Sequence, residues 1–262
     1  ANRGVAFGVH RAFDSAGAML GPLVGLVILS ALPQRFDVVF VVSFSIAIIG
    51  LGVLLAFVRN PPPVEHAAQP RAVAWRATDA RAIAPLLVAA AVLSVATVSD
   101  AFIYLILQRN VGFNAAMLPL LYVGTSAVYL VLAIPVGHFA DRAGKRTTLL
   151  GGHLLLASAY IVAGVVHGTT AVIASSVLLL GAYYAMTDGV FMALAGAACR
   201  SEQVAGGMAM VTTVTSGGRF VAALAFGAAW VQFGIPTAVA GFSSAVAVAV
   251  VVAAVALRGD RA

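Results

Sequence analysis

Three stretches of this chain, Val38 to Val58, Met117 to Val136 and Ile235 to Leu257, carry no charged residue and are dominated by apolar side chains. Each is close to the about 20 residues that take a helix across a bilayer. A lipid solvent admits few solutions: with no water to satisfy backbone polar groups, a spanning segment must be a helix or part of a closed barrel. Only 9% of the residues are charged and 62% are hydrophobic, against about 25% charged in an ordinary globular protein, so a water-soluble fold is excluded. Five further runs tolerate one charge or several glycines: Ala12 to Leu32, Ile83 to Leu107, Thr147 to His167, Thr169 to Ala198 and Val204 to Phe233. The expectation is an all-α polytopic membrane protein with eight transmembrane helices.

Cationic loops stay on the cytoplasmic side, which fixes the direction of threading. With the N-terminus inside, all of the 15 Lys and Arg residues fall inside except Arg35 and Arg109, which fall outside, and Arg219, which lies within a span. Both ends of this chain are therefore expected in the cytoplasm, in a cell membrane. The net charge of +6 is then a topology signal, and with no continuous basic groove a nucleic-acid partner is not expected. Cys199 is the single cysteine, so there is neither an internal disulfide nor a thiolate metal site. His153 and His167 stand about 21 Å apart if they share one helix. No metal or cofactor is implied, and a membrane-embedded enzyme finds no clustered nucleophile and base.

One connection is long. Residues 59 to 81, RNPPPVEHAAQPRAVAWRATDAR, begin with three consecutive prolines that stop a helix. Trp75 among Arg71, Arg76 and Arg81 suits a short amphipathic piece on the headgroups. This linker divides the chain into residues 1–58 with two spans, a cytoplasmic connection over 59–82, and residues 83–262 with six spans. Large transporters commonly consist of two six-helix halves related by an axis along the membrane normal, so four more spans are expected upstream of Ala1. A faint internal echo agrees: residues 3–20 and 205–221 place glycines and small residues at similar distances.

Residues 137 to 150, GHFADRAGKRTTLL, join two spans on the cytoplasmic side. Gly137 and Gly144 permit a tight turn, Asp141 offers an anion to a neighbouring helix N-terminus, and Arg142, Lys145 and Arg146 hold the segment to the inner leaflet. Their spacing resembles the G-x-x-x-D-R-x-G-R/K-R/K loop of the major facilitator superfamily. The resemblance implies that the eight spans are helices five to twelve of a twelve-helix transporter working as a monomer, with this loop as its second copy and a role in gating the cytoplasmic side. By the family's pseudo-symmetry, Asp141 is expected near the turn from Arg11 to Ser15. In the same light Gly8, Gly17, Gly21, Pro22 and Gly25 resemble the fifth-helix antiporter signature, although Leu26 stands where a further glycine is usual. Read from spacing alone, Gly17, Gly21 and Gly25 form one small-residue face that a neighbouring helix can approach closely, with Pro22 bending the helix.

Four ionisable residues lie in or near spans: Asp14, Asp100, Asp188 and Arg219. Charge in hydrocarbon is costly and points to function, with a structural ion pair or an interfacial acid as the competing reading. From the cytoplasmic ends, Asp188 lies at about 12 Å, Arg219 at about 20 Å and Asp100 at about 26 Å. The family resemblance implies that Asp100 and Asp188 face the central cavity and that Arg219 supports them. One aspartate would carry the coupling proton while Arg219 tunes it. Asp14 lies beside Arg11 at the cytoplasmic end. Tyr184 and Phe191 share a helix face with Asp188, as Tyr104 does with Asp100, either lining the cavity or simply packing. The expected activity is proton-coupled antiport that exports a small, partly apolar compound across the bilayer. Proton-coupled nutrient uptake and a non-transporting sensor of the same fold are the alternatives.

Overall fold

The computed structural model describes residues 3–58, 77–166, 170–200 and 203–259, with side chains over 17–58, 81–166, 170–200 and 203–258. The linker from 59 to 76, with Trp75, lies outside the described residues, as do the side chains of Arg11 and Asp14 and the surroundings of Gly8. Every described element is helical: α1 (Arg3–Ala31), α2 (Phe36–Phe57), α3 (Ala77–Val95), α4 (Asp100–Val111), α5 (Leu118–Ala143), α6 (Lys145–Val165), α7 (Thr170–Ala198) and α8 (Val204–Ala256). Short 3-10 turns precede α5 and follow α8. Among the described residues, 6 segments are long and apolar enough to cross a membrane: α2, α3 with α4, α5 with its preceding turn, α6, α7 and α8. The apolar part of α1, Gly17–Ala31, is shorter.

Two of these segments are interrupted. The run from Ile83 to Leu107, expected as one helix, stops after Val95 and restarts at Asp100. Ser99 is the reason for the restart, because its extended backbone and its Oγ, which accepts the Ala101 N–H at 3.4 Å, make an N-cap. The freed backbone groups are not left bare. Tyr160 of α6 accepts the Val98 N–H at 2.7 Å and donates to the Ala96 carbonyl at 3.3 Å, while Thr97 Oγ1 donates to the Leu93 carbonyl at 2.8 Å. Such partners are what allow irregular backbone at membrane depth. The other interruption divides α8, where Gly234 takes φ 81° and ψ 168° and separates Val204–Phe233 from the stretch beginning at Ile235. Only glycine visits that region without strain.

The helices pack α3 along α8, α6 between α7 and α8, α5 along α7, and α1 along α5. Their shared core contains Leu86, Leu93, Ile103, Leu107, Leu156, Leu180, Phe226 and Val246. Helix α7 comes so close to α5 that a methyl group on Gly181 would stand 2.5 Å from Val128 and 2.9 Å from the Thr125 carbonyl. This contact places α7 side chains from Tyr184 to Asp188 against the middle of α5. By contrast α2, whose sequence is the most continuously apolar, buries none of its residues.

Candidate functional site

The break before Asp100 sets that carboxylate in the first turn of α4, where its Oδ1 accepts the Ala101 N–H at 3.1 Å and the helix dipole favours negative charge. Asp100 opens onto a cavity of about 230 Å³ that α5 and α7 complete. Its walls are Asp100, Tyr104, Tyr122, Thr125, Ser126, Tyr129, Tyr184 and Asp188. Four of the six cavity residues expected from sequence thus meet around one space. Tyr104 is buried, and its hydroxyl lies 2.7 Å from Thr125 Oγ1. Its ring stands edge-on to Tyr122 with centroids 4.6 Å apart. Tyr184 lies within electrostatic reach of Asp100.

Arg219 is exposed beside this cavity rather than part of its wall. It lies within electrostatic reach of Asp188 and Tyr184 and within hydrogen-bonding reach of the Tyr183 hydroxyl. The two acids are therefore unlike: Arg219 acts on Asp188, while Asp100 is surrounded by Tyr184, Ser99 and its own helix terminus. Phe191 stands elsewhere, buried with its ring 6.3 Å from His153. His153 is itself buried, 5.4 Å from Tyr183 by ring centroids, with Nδ1 2.9 Å from the Leu149 carbonyl.

A second groove of about 300 Å³ begins at Tyr129 and follows α5 and α7 past Ala133, Gly137 and Gly189 to Asp141 and Lys145. The helix boundaries here correct two details of the loop as read from sequence. Helix α5 continues to Ala143, so Asp141 and Arg142 are helical and Gly137 lies inside the helix, not in a turn. Nothing among the described residues stands within 4 Å of a methyl group placed on Gly137. The turn is made by Gly144 alone, with φ 93°, which ends α5 and starts α6. Arg146, expected at the inner leaflet, donates to the carbonyls of Ala254 and Leu257 at the end of α8, the second at 3.0 Å. That cation neutralises a helix C-terminus.

Residues 86–262 match the family described as Major Facilitator Superfamily. The chain belongs to that superfamily. It is also 26% identical over 198 residues to an uncharacterized MFS-type transporter of Methanocaldococcus jannaschii, a match covering 72% of this chain and 47% of that protein. The chain thus spans about half the length of the curated relative it matches. As a member of the Major Facilitator Superfamily it is a multi-pass membrane protein, and the transporter name of its relative points to transport rather than catalysis.

Sequence reasoning missed the contributions of Tyr122, Thr125, Ser126 and Tyr129. They stand at three- and four-residue intervals in α5, a periodicity that was visible. Nothing local says that this polar stripe, rather than its apolar neighbours, turns toward Asp100. Gly17, Gly21 and Gly25 lie in α1, and none has a described atom within 4 Å of a methyl group placed on it.

Proposed function

We propose that the intact protein is a proton-coupled antiporter that exports a small, partly apolar compound, with Asp188 carrying the coupling proton. The observation that carries this reading is the meeting of Asp100 and Asp188, from different helices, in one cavity with Arg219 within electrostatic reach of Asp188. A carboxyl group withdrawn from water keeps its proton, and one beside a cation releases it. Alternating access changes both conditions at Asp188, so one group can load from one side and unload to the other. The glycine and proline pattern of α1 supports exchange over uptake.

In this reading eight spans cross the cytoplasmic membrane, α1 and the two parts of α8 each counting as one. Residues 1–58 belong to the first half of the transporter, 59–82 connect, and 83–262 form the second half. Both ends of the chain are cytoplasmic, and the transporter works as a monomer. Asp141 caps the first turns of α1 when the cytoplasmic side closes, for which the packing of α1 along α5 provides the neighbourhood.

The test is Asp188→Asn in proteoliposomes. Substrate-driven proton flux should vanish while some substrate binding and energy-independent exchange persist. If the variant still accumulates substrate against a gradient with wild-type rate and pH dependence, Asp188 is structural and Asp100→Asn takes its place in the assay. An acid-outside gradient should deplete the cell interior of substrate; accumulation under that gradient would make the protein a symporter.

A further inference from the structure

We propose that the groove between residues 133–141 of α5 and 185–193 of α7 is the path by which the proton on Asp188 leaves for the cytoplasm, with Tyr129 as its constriction. This rests on the reading of Asp188 as the proton carrier and of the Asp141 end as cytoplasmic, and it gives that carrier an exit. Tyr129 lines both the cavity of Asp100 and Asp188 and the groove, so its side chain stands where the two spaces meet. From there the groove passes Ala133, Gly137 and Gly189 and ends at Asp141 and Lys145. Tyr129 to Asp141 is about 18 Å along α5. Asp188 is on the cavity wall and its neighbour Gly189 is on the groove wall, so the carboxyl group stands at the cavity end of the path.

The seam between α5 and α7 is closed on one side of the cavity and open on the other. Toward the starts of the two helices, methyl groups on Gly124 and Gly181 would stand 3.1 Å from Val177 and 2.5 Å from Val128. Toward their ends, Gly137 and Gly189 line the groove, and a methyl group on either meets nothing among the described residues within 4 Å. A path along this seam therefore leads from the cavity in one direction, toward Asp141. Its walls suit water. Glycine leaves helix backbone open to solvent, so carbonyl groups serve as acceptors between the polar ends formed by Tyr129, Asp141 and Lys145. The volume of about 300 Å³ holds several waters at roughly 30 Å³ each. The proton leaves the Asp188 carboxyl oxygen for the first water, and the last water passes a proton to the bulk beside Asp141 and Lys145. Around Asp188 stand Asp100 of α4, Tyr122 and Tyr129 of α5, Tyr184 of its own helix, and Arg219 of α8, whose charge favours the carboxylate left behind.

The experiment uses the intact protein in inside-out membrane vesicles and chloride-free buffer, with every native cysteine, Cys199 included, replaced by alanine and Asp188→Cys added. The probe is silver ion, a thiol-reactive cation small enough to follow water, and thiols left unreacted are counted with a fluorescent maleimide after unfolding. Silver should react with Asp188→Cys from this side. Gly189→Leu enters the groove from a position where the structure leaves room. It should slow the reaction at least about tenfold, or about 1.4 kcal/mol on the barrier to entry. Gly137→Leu, on the opposite wall, should slow it as much and carries the test if Gly189→Leu fails to fold by thermal unfolding. Gly189→Ala fills little and should stay within about threefold of the open rate, whereas Tyr129→Ala should exceed that rate by more than about threefold. Rates taken across pH separate a blocked path from a changed thiolate fraction. No reaction from this side, or equal rates with and without the leucines in folded protein, overturns the proposal; equal rates would assign access to the space between the two halves. An unchanged rate in folded Tyr129→Ala overturns it equally, because the constriction would lie elsewhere. Failure of the coupling reading looks different: silver would show all these dependences while Asp188→Asn kept wild-type, pH-dependent accumulation.

Discussion

One hydroxyl group, that of Tyr160, serves both backbone groups exposed where α3 gives way to α4, with the Val98 N–H at 2.7 Å and the Ala96 carbonyl at 3.3 Å. Both belong to buried residues, where water offers no replacement. Tyr160→Phe keeps the ring and removes only these bonds, so its cost is that of a buried donor and acceptor left unpaired, about 1–3 kcal/mol. It should appear as a lower midpoint of thermal unfolding in detergent, together with weaker binding in the Asp100 cavity, since the break aims Asp100 into it. An unchanged midpoint would mean that other groups satisfy Val98. The break shows what the sequence made legible at this scale. Hydropathy runs unbroken from Ile83 to Leu107, and so the run reads as one helix. Ser99 followed by Asp100 is nevertheless an N-cap signature, outvoted because apolar length is the stronger signal in a membrane chain. Asp100 and Asp188 were legible because charge in hydrocarbon is rare. Arg146 was legible as basic but not as a helix cap, because its acceptors lie 108 and 111 positions away in the chain.

Between elements, separation is set by small residues, and Gly181 controls the pair that walls the cavity. A methyl group there would meet Val128 side-chain atoms at 2.5 Å and the Thr125 carbonyl at 2.9 Å. The carbonyl cannot swing aside as a side chain can. Gly181→Ala must therefore push α7 from α5, moving Tyr184 and Asp188 away from Tyr122 and Tyr129. Overpacking of this kind costs about 1–3 kcal/mol. The expected outcome is a lower unfolding midpoint and, at temperatures where the variant remains folded, weakened ligand binding. Full binding with an unchanged midpoint would show that the two helices are not in this close contact. The glycine face of α1 stood out in the sequence because its residues recur every four positions. Gly181 did not, since it is a single glycine in α7 and its importance depends on which helix lies opposite. Periodicity finds faces, whereas a close approach at one residue belongs to the tertiary arrangement.

At the scale of the whole molecule, the arginines sort themselves to two ends. Pro33 and Gln34, from the α1–α2 turn, line one pocket with Asn114 and Ala115, which bridge α4 and α5, so these turns share an end. Arg35 pairs with Asp37 at 2.8 Å in the first of them, and Arg109 lies 5.3 Å from the Trp230 ring near the second. An aromatic ring with an arginine suits the water boundary of a bilayer. At the other end Arg146 ties the start of α6 to the end of α8, which gathers Arg142, Lys145 and Arg258 nearby. The sequence had already sorted the same cations by loop charge, and this was possible because threading depends on local composition more than on packing. The sidedness itself is testable in a Cys199→Ala background with a membrane-impermeant maleimide applied to intact cells. Cysteines placed one at a time at Arg35 and Arg109 should label in intact cells. Those at Ala143 and Arg258 should label only after permeabilisation. Replacing Arg35 or Arg109 removes a cation from the outer side, so neither change pushes the threading toward reversal. Labelling of Ala143→Cys from outside, with protection of Arg35→Cys, would invert the orientation and put the Asp141 end of the α5–α7 groove outside the cell. Labelling at all four sites in intact cells would instead mean that the chain inserts in both orientations, and the cation count would then have lost its power to fix sidedness.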